Sequence, residues 1–415
     1  MTRTGITLLI LLVLAVGGYF GYEYVKRTPP DWAVKLVSKP HEPPPSLPEG
    51  DRAPLEAPEG FTATIFSRDV PGARVMIRDP KGAMLVSLTS EGKVVALPDA
   101  NADGKADKVV TVLEGLKQPH GLLVLCLPTT GPSGQGDCIL YVAETDKLKT
   151  YRYDADAYTA TYQETLTTFP SGRGHFTRTL HQGPDANKIL ISVGSSCNVC
   201  DEEHAWRATI LEMDIATKKF SVLAKGLRNS VFMATDPVTG AIWATDNGRD
   251  LIGDDIPPDE VNIIEKGRDY GWPICYGDRV HDTDFDKKQY VRDPCADSTP
   301  PHIPLQAHSA ALGLAFIPEE GWPEEMMSDL LIAYHGSWNR SEPTGYKVVR
   351  FNLDQTTRRA LGGPIDFLTG FTPPGGDKDD ALGRPVGLLI EPGGTVYVSD
   401  DRAGAIYKVS RNSLD

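Results

Sequence analysis

Three separated stretches of this chain hold residue types that chemistry uses. The first is Gly174-His175-Phe176-Thr177-Arg178, followed by Gly194-Ser195-Ser196-Cys197-Asn198. A histidine takes or gives a proton near neutral pH, which makes His175 a candidate base. Alone it would read as a structural histidine; the stretches around it strengthen the case. The second stretch opens with Gly226-Leu227-Arg228-Asn229. It runs through Asp246-Asn247-Gly248-Arg249-Asp250 and Asp259-Glu260-Val261-Asn262 to Tyr270-Gly271-Trp272-Pro273. Carboxylates and amides gathered at strand ends suit a hard cation, Ca2+ first among them, although a solvated acidic loop has the same composition. Arg228 beside these acids points to a ligand that brings carboxylates of its own. The third stretch is His335-Gly336-Ser337-Trp338-Asn339-Arg340 together with Gly383-Arg384-Pro385. Each of these arginines alone would be an ordinary surface residue.

A further loop follows a metal-binding spacing. Asp99, Asn101, Asp103 and Asp107 stand at positions 1, 3, 5 and 9 of a calcium loop, with Gly104 at position 6. Position 12 is Val110, where an EF-hand needs glutamate. The loop reads as a structural Ca2+ staple or as an Asx-rich turn.

The elements that must position these residues repeat along the chain. An apolar run, a polar turn and a second apolar run recur at 82–87 with 93–97, at 139–143 with 149–153, and at 189–193 with 208–213. They continue at 241–245 with 261–264, at 330–334 with 346–351, and at 395–399 with 405–409. Six strand pairs without sustained helical periodicity predict an all-β chain folded as a six-bladed β-propeller. A two-sheet sandwich is the rival, and it would not need six similar units. The run Phe61–Phe66 alternates like a strand and can complete the last blade. The long gap after the fourth unit holds an insertion. In a propeller, loops from different blades converge on one mouth, so the three chemical stretches can meet there.

The rest of the chain bears on location. Residues 5–22 carry no charge, the lower limit for a membrane-spanning helix, and Ala15-Val16-Gly17 also offers a cleavage site for a signal peptide. Residues 23–58 hold nine prolines and read as an extended linker. The expected organisation is a signal anchor or signal peptide at 1–22, a linker at 23–58 and the propeller at 59–415. That places the propeller on the periplasmic or extracellular face, tethered to the inner membrane by the N-terminal segment. Six cysteines suit three sequential disulfides, Cys126–Cys138, Cys197–Cys200 and Cys275–Cys295. The Cys197–Cys200 spacing also fits a redox pair or half a zinc site. Haem attachment fails because Asp201, not histidine, follows Cys200. With 42 basic and 56 acidic residues the net charge is −14, which excludes a nucleic-acid binder but not a small anionic ligand.

Taken together, GHFTRTL…GSSCNVC, GLRN…DNGRD…PPDEVN…YGWP, HGSWNR…GYKVVRF and GRPVG resemble the PQQ-dependent soluble sugar dehydrogenases, closest to their sorbosone/aldose branch. The likeness runs in order over about residues 60–410. It implies a quinoprotein that holds pyrroloquinoline quinone (PQQ) and Ca2+ in the propeller mouth. It implies oxidation of an aldose or aldehyde-type sugar by hydride transfer to the quinone, with reoxidation by an external cytochrome or quinone. By this resemblance His175 is the base, Arg228 and Asn229 meet the quinone, and Asn247 and Gly248 hold its Ca2+. Asp259, Glu260 and Tyr270 match a second calcium site, and Arg384 a clamp on a cofactor carboxylate. Either His335 or Arg340 stands where the glucose-specific branch has a lysine. His120 aligns near a substrate-pocket amide. Gly174 replaces an aspartate beside the histidine and Arg249 replaces a proline, which argues against glucose itself. The alternatives are a propeller lactonase that uses Ca2+-activated water, and a non-catalytic binding propeller.

Overall fold

The computed structural model describes residues 47–126 and 138–412. Every regular element there is a strand, apart from two short 3-10 turns at Glu324–Met326 and Lys378–Asp380. The strands form six four-stranded antiparallel sheets and one two-stranded hairpin. The first blade is Ala73–Arg78, Met84–Leu88, Lys93–Leu97 and Val110–Leu113. The second is Gly121–Cys126, Cys138–Ala143, Lys147–Asp154 and Thr159–Thr168. The third is Leu180–Gln182, Lys188–Val193, Thr209–Asp214 and Phe220–Lys225. The fourth is Ser230–Thr235, Ile242–Asp246, Asp259–Ile263 and Ile303–Leu305, with the hairpin Cys275–Tyr276 and Val280–His281 inserted before its last strand. The fifth is Ala311–Phe316, Leu330–Tyr334, Lys347–Phe351 and Ile365–Leu368. The sixth joins Pro385–Glu391, Thr395–Asp400 and Ala405–Arg411 to Phe61–Ser67 from the start of the domain. Phe61 pairs with Arg411 and Ile65 with Tyr407, so the two ends of the described chain close the ring in the sixth blade.

The first strand of each blade lies innermost, against the first strands of its neighbours. The second strands Met84–Leu88 and Leu330–Tyr334 are buried at every position. Each blade packs face to face on the next. Trp243 and Val261 of the fourth blade meet Leu314, Leu330, Ile332 and Tyr334 of the fifth. A strand covered on both faces must be apolar throughout, which is why the six repeats read as continuous runs. Each repeat in the sequence corresponds to the second and third strands of one blade.

Residues 47–58 differ from the expected linker. Ala53 donates to Ala63 O at 3.1 Å, Glu56 and Thr369 exchange two backbone bonds, and Ala53 and Leu55 are buried. The propeller therefore gathers in the last part of the proline-rich segment, because its few apolar residues find cover on the sixth blade. The expected signal or anchor at 1–22 and the linker up to residue 46 lie outside the described residues. Among the described residues no helix is long and apolar enough to cross a membrane.

The three sequential disulfides form as expected. Cys197–Cys200 leaves no thiolate for zinc, although Glu202 lies near both sulfurs.

Candidate functional site

Inner strands begin, and second strands end, at one end of the propeller. A cavity of about 350 Å³ opens there, lined from blades one and three to six. Arg74 enters it from the start of the first inner strand, Asn229 and Val231 from the fourth, Leu312 from the fifth and Arg384 from the sixth. Asn247, Gly248 and His335 follow second strands, and His175 precedes the third inner strand.

His175 sits on this wall, half-buried. Its Nδ1 faces Ser195 Oγ at 3.0 Å and Ser195 O at 3.2 Å. The Ser195 hydroxyl donates to Cys197 O at 2.6 Å, so both oxygens can only accept from the ring. The ring proton is thereby held on Nδ1, and Nε2 keeps its lone pair, with no protein partner among the described residues. Burial, then the charges of Arg228, Arg207 and Arg178, push the His175 pKa well below the ordinary histidine value. The neutral form, the one that can accept a proton, prevails at neutral pH. Gly174 is needed where it stands: its φ is +83°, and a Cβ would lie 2.4 Å from Ser195 O. The aspartate that the resemblance puts beside the histidine has no room here, and Ser195 orients the ring instead.

Arg228 is buried on the neighbouring wall, at the start of the fourth blade, close enough that its charge acts on His175. Its Nη1 donates to Gly248 O at 2.8 Å and Asn247 O at 3.2 Å, and its Nη2 to Asp250 Oδ2 at 2.7 Å. Two carbonyls and a carboxylate thus already converge on one cationic group. Asp246 anchors the backbone beneath, accepting from Arg228 N at 3.0 Å and Asn229 N at 2.6 Å. Burial, and then Glu260 on the paired strand, raise the Asp246 pKa well above the carboxylate range.

Arg384 donates only to carbonyls, with Nε to His335 O at 3.0 Å and Nη2 to Gly336 O at 2.6 Å. No carboxylate pairs with it among the described residues. Arg74 pairs with Asp401, whose other oxygen meets His335 Nε2 at 3.0 Å. Burial, then Arg384, lower the His335 pKa to about 4. Burial opposes ionisation of Asp401, yet His335, Arg74 and Arg384 hold it below the carboxylate range. Three buried polar atoms on lining residues have no partner: Arg74 Nε, Asn229 Oδ1 and Asn339 Oδ1.

The structure therefore gathers His175, Arg228, Asn229, Asn247, Gly248, Asp259, His335 and Arg384 around one cavity. Other candidates fall elsewhere. His120 is wholly buried, with Nδ1 3.1 Å from Thr179 Oγ1 and its ring against Phe232, so it cannot touch a substrate. Arg340 turns from the cavity to Asp254 O and Asp255, which leaves His335 as the residue on the wall. The side chains of Asp259, Glu260 and Tyr270 do not converge on a cation. Asp259 accepts from Gly248 N at 2.9 Å and Ala310 N at 2.7 Å, and Glu260 from Asn262 Nδ2 and Gly277 N, each at 3.0 Å. The Tyr270 hydroxyl is taken by Ile263 O and Glu265 N. Backbone N–H groups and the Asn262 side-chain amide bond these acids, and Glu260 and Tyr270 line a second, smaller pocket with Asp246 and Gly248. The Asp99 loop lies between the third and fourth strands of the first blade, away from the cavity. Asp99 Oδ1 accepts from Asp103 N, Asp103 Oδ1 from Lys105 N, and Asp107 Oδ2 from Ala100 N, which is Asx-turn geometry.

Sequence reading missed Arg74, Asp401 and His308. One signal was present. Gly72-Ala73-Arg74 has the spacing of Gly226-Leu227-Arg228, and both glycines take positive φ where the chain turns into an inner strand.

Fold and cavity together define a six-bladed propeller with an arginine- and histidine-lined mouth. The chain belongs to the TrAA12-like family, whose model matches residues 55–412. It is 29% identical over 369 residues to an uncharacterized protein of Borreliella burgdorferi, covering 86% of this chain and 90% of that one. It is 26% identical over 419 residues to a pyrroloquinoline quinone-dependent pyranose dehydrogenase of Coprinopsis cinerea, covering 87% of this chain and 55% of that protein. The chain thus spans about half the length of that curated relative. Among solved structures, the calcium structure of the Trichoderma reesei Carbohydrate-Active Enzymes Family AA12 protein superposes with a TM-score of 0.72 at 23% identity. That match covers 86% of this chain and 97% of the other.

Proposed function

We propose that this propeller is a PQQ-dependent dehydrogenase of a pyranose-type sugar, with His175 as its base and Ca2+ at the cofactor. The observation that carries the reading is a neutral His175, its Nε2 free, sharing one cavity with three arginines, of which Arg384 has no carboxylate partner. The residues fit the cofactor. Arg74, Arg228 and Arg384 suit a ligand with several carboxylates, and the unpartnered Arg74 Nε and Asn229 Oδ1 supply further polar contacts. The carbonyls of Asn247 and Gly248 with the Asp250 carboxylate are hard oxygen donors suited to Ca2+, and a guanidinium already occupies their focus.

When bound, the quinone supplies the two-electron acceptor for the hydride that leaves the substrate carbon. The chain's own part is acid–base and electrostatic. His175 Nε2 takes the proton from the anomeric or hydrated-aldehyde hydroxyl. Ser195 keeps the ring in the tautomer that can do so. Arg384 and Arg74 hold anionic groups, and Arg228 offers a fixed positive charge where negative charge develops. An external electron acceptor completes the cycle. The same reading puts the propeller in an oxidising compartment, which the three disulfides support.

The test is reconstitution with PQQ and Ca2+, followed by dye reduction over a panel of pyranoses, aldoses and aldehydes. Turnover that needs both additions supports the reading. Lactone hydrolysis without the quinone would support the rival instead.

A further inference from the structure

The residues Cys197-Asn198-Val199-Cys200 are closed into a small ring by their disulfide. That ring touches the supports of both reactive side chains. On one side, Cys197 O accepts a hydrogen bond from the Ser195 hydroxyl, which leaves Ser195 Oγ as an acceptor for His175 Nδ1. On the other side, Asn198 O accepts from Arg228 Nε at 2.9 Å, and Asn198 Oδ1 from Arg228 Nη2 at 2.9 Å. The same amide group accepts from Asp250 N at 2.7 Å and donates to Asp250 O at 3.0 Å, so it also fixes the acid that pairs with Arg228. Trp272 Nε1 adds a fourth element at Asn198 O, at 3.3 Å. Beyond the ring, Glu202 accepts from Ser196 N at 2.6 Å and Ser196 Oγ at 2.7 Å, which ties the preceding residue down as well.

Two consecutive carbonyls therefore serve two different clients, Ser195 from residue 197 and Arg228 from residue 198. An open four-residue loop samples many backbone states, and a closed one few. The hydrogen bonds to Arg228 are charge-assisted and directional, so a shift of the Asn198 carbonyl weakens them steeply.

We propose that the Cys197–Cys200 ring is a positioning element that sets His175 and Arg228 together, through Ser195 and Asn198. Its consequence for turnover rests on the dehydrogenase reading above; its geometric content does not. The disulfide acts here as a clamp on the site rather than as a general staple of the fold.

The test compares Cys197→Ala/Cys200→Ala with Cys126→Ala/Cys138→Ala, which removes a disulfide at the far end of the second blade. Asn198→Ala, with the ring intact, is the third variant and keeps the question answerable should the ring variant not fold. Two readouts are taken on the purified protein. The first is the titration of the His175 ring by nuclear magnetic resonance, assigned with His175→Gln, which needs no cofactor. The second is PQQ affinity in the presence of Ca2+.

Loosening Arg228, which keeps its bonds to Asn247 O, Gly248 O and Asp250, lets its positive charge move relative to His175, so the His175 pKa rises toward the ordinary value in the ring variant and, by less, in Asn198→Ala. PQQ affinity falls about tenfold or more, the scale of a lost hydrogen bond to a charged group. The Cys126/Cys138 control leaves both readouts unchanged. If the His175 titration moves while no form of the protein binds PQQ, the clamp stands and the dehydrogenase reading fails. If ring variant, Asn198→Ala and control behave alike in both readouts, the clamp is wrong.

Discussion

Two arginines at opposite ends of the propeller, Arg358 buried and Arg384 half-buried, make an instructive contrast. Arg358 lies at the end away from the cavity, 3% exposed, and meets the wholly buried Asp236 with two prongs at 2.9 and 3.1 Å. Arg384 lies at the mouth, where it donates to the carbonyls of His335 and Gly336 and lies over the Tyr346 ring. At the far end the charge is neutralised within the protein, where it joins the fourth blade to the fifth. At the mouth the guanidinium contacts no carboxylate among the described residues; the nearby Asp401 acts on it only at a distance and is bonded to Arg74 and His335. Burying such a charge is unfavourable, and an anionic ligand removes that cost. The first arrangement is what stability alone produces; the second fits the proposed role of Arg384 in holding an anionic group.

The contrast sets expectations that differ in kind as well as size. The largest concerns the base. His175→Ala should lower kcat by roughly 10²- to 10⁴-fold, the usual worth of a positioned acid–base group. Its melting temperature and PQQ affinity should stay near wild type, because the imidazole is not among the arginines that hold the anion. Steady-state kinetics with saturating cofactor, alongside thermal unfolding, separates these effects. Next comes Arg358→Ala, which strands Asp236 in the core and should destabilise the fold by about 3–5 kcal/mol. The folded fraction should bind PQQ normally, as denaturant titration and a binding isotherm would reveal.

Arg384→Ala should do the reverse. PQQ affinity should fall roughly 10- to 100-fold through loss of a charge-assisted contact. Stability of the cofactor-free protein should change by less than about 1 kcal/mol, since no buried carboxylate is left unpaired. A large loss of stability without loss of affinity would erase the distinction between the two ends. The smallest effect is in pH. Protonation inactivates a base, and the His175 pKa lies well below its ordinary value. The acid limb of kcat/KM should therefore lie below the ordinary histidine pKa of about 6.5. Arg228→Ala should move that limb upward, because a nearby positive charge is removed.

The fold was legible in sequence because the second and third strands of each blade are covered on both faces and must be apolar. Apart from Phe61–Ser67, which alternates and was read as closing the last blade, the outer strands were not legible. Thr159–Thr168, at the edge of the second blade, is mostly exposed and carries no apolar pattern. The inner strands begin at a polar cavity, and mixed polarity hid Arg74 among ordinary surface arginines. His175, Arg228, Asn247 and Arg384 were found because ordered motifs located them. His120 was misplaced because proximity along a motif says nothing of which way a ring points. Asp259 and Glu260 were expected at a second calcium site from the family resemblance. The N–H groups of Gly248, Ala310 and Gly277 that reach them are not displayed by a sequence. The switch from aspartate to Gly174 was visible, but its replacement by Ser195 required the fold.

The most direct test of the account is equilibrium titration of the purified propeller with PQQ, with and without Ca2+, for wild type and for Arg74→Ala/Arg384→Ala. One equivalent should bind tightly to wild type with Ca2+ present. Affinity should weaken when Ca2+ is chelated, and weaken by at least tenfold in the double variant. Absence of binding to wild type, or equal binding by wild type and the double variant, would contradict the claim that the mouth is an anionic-cofactor site.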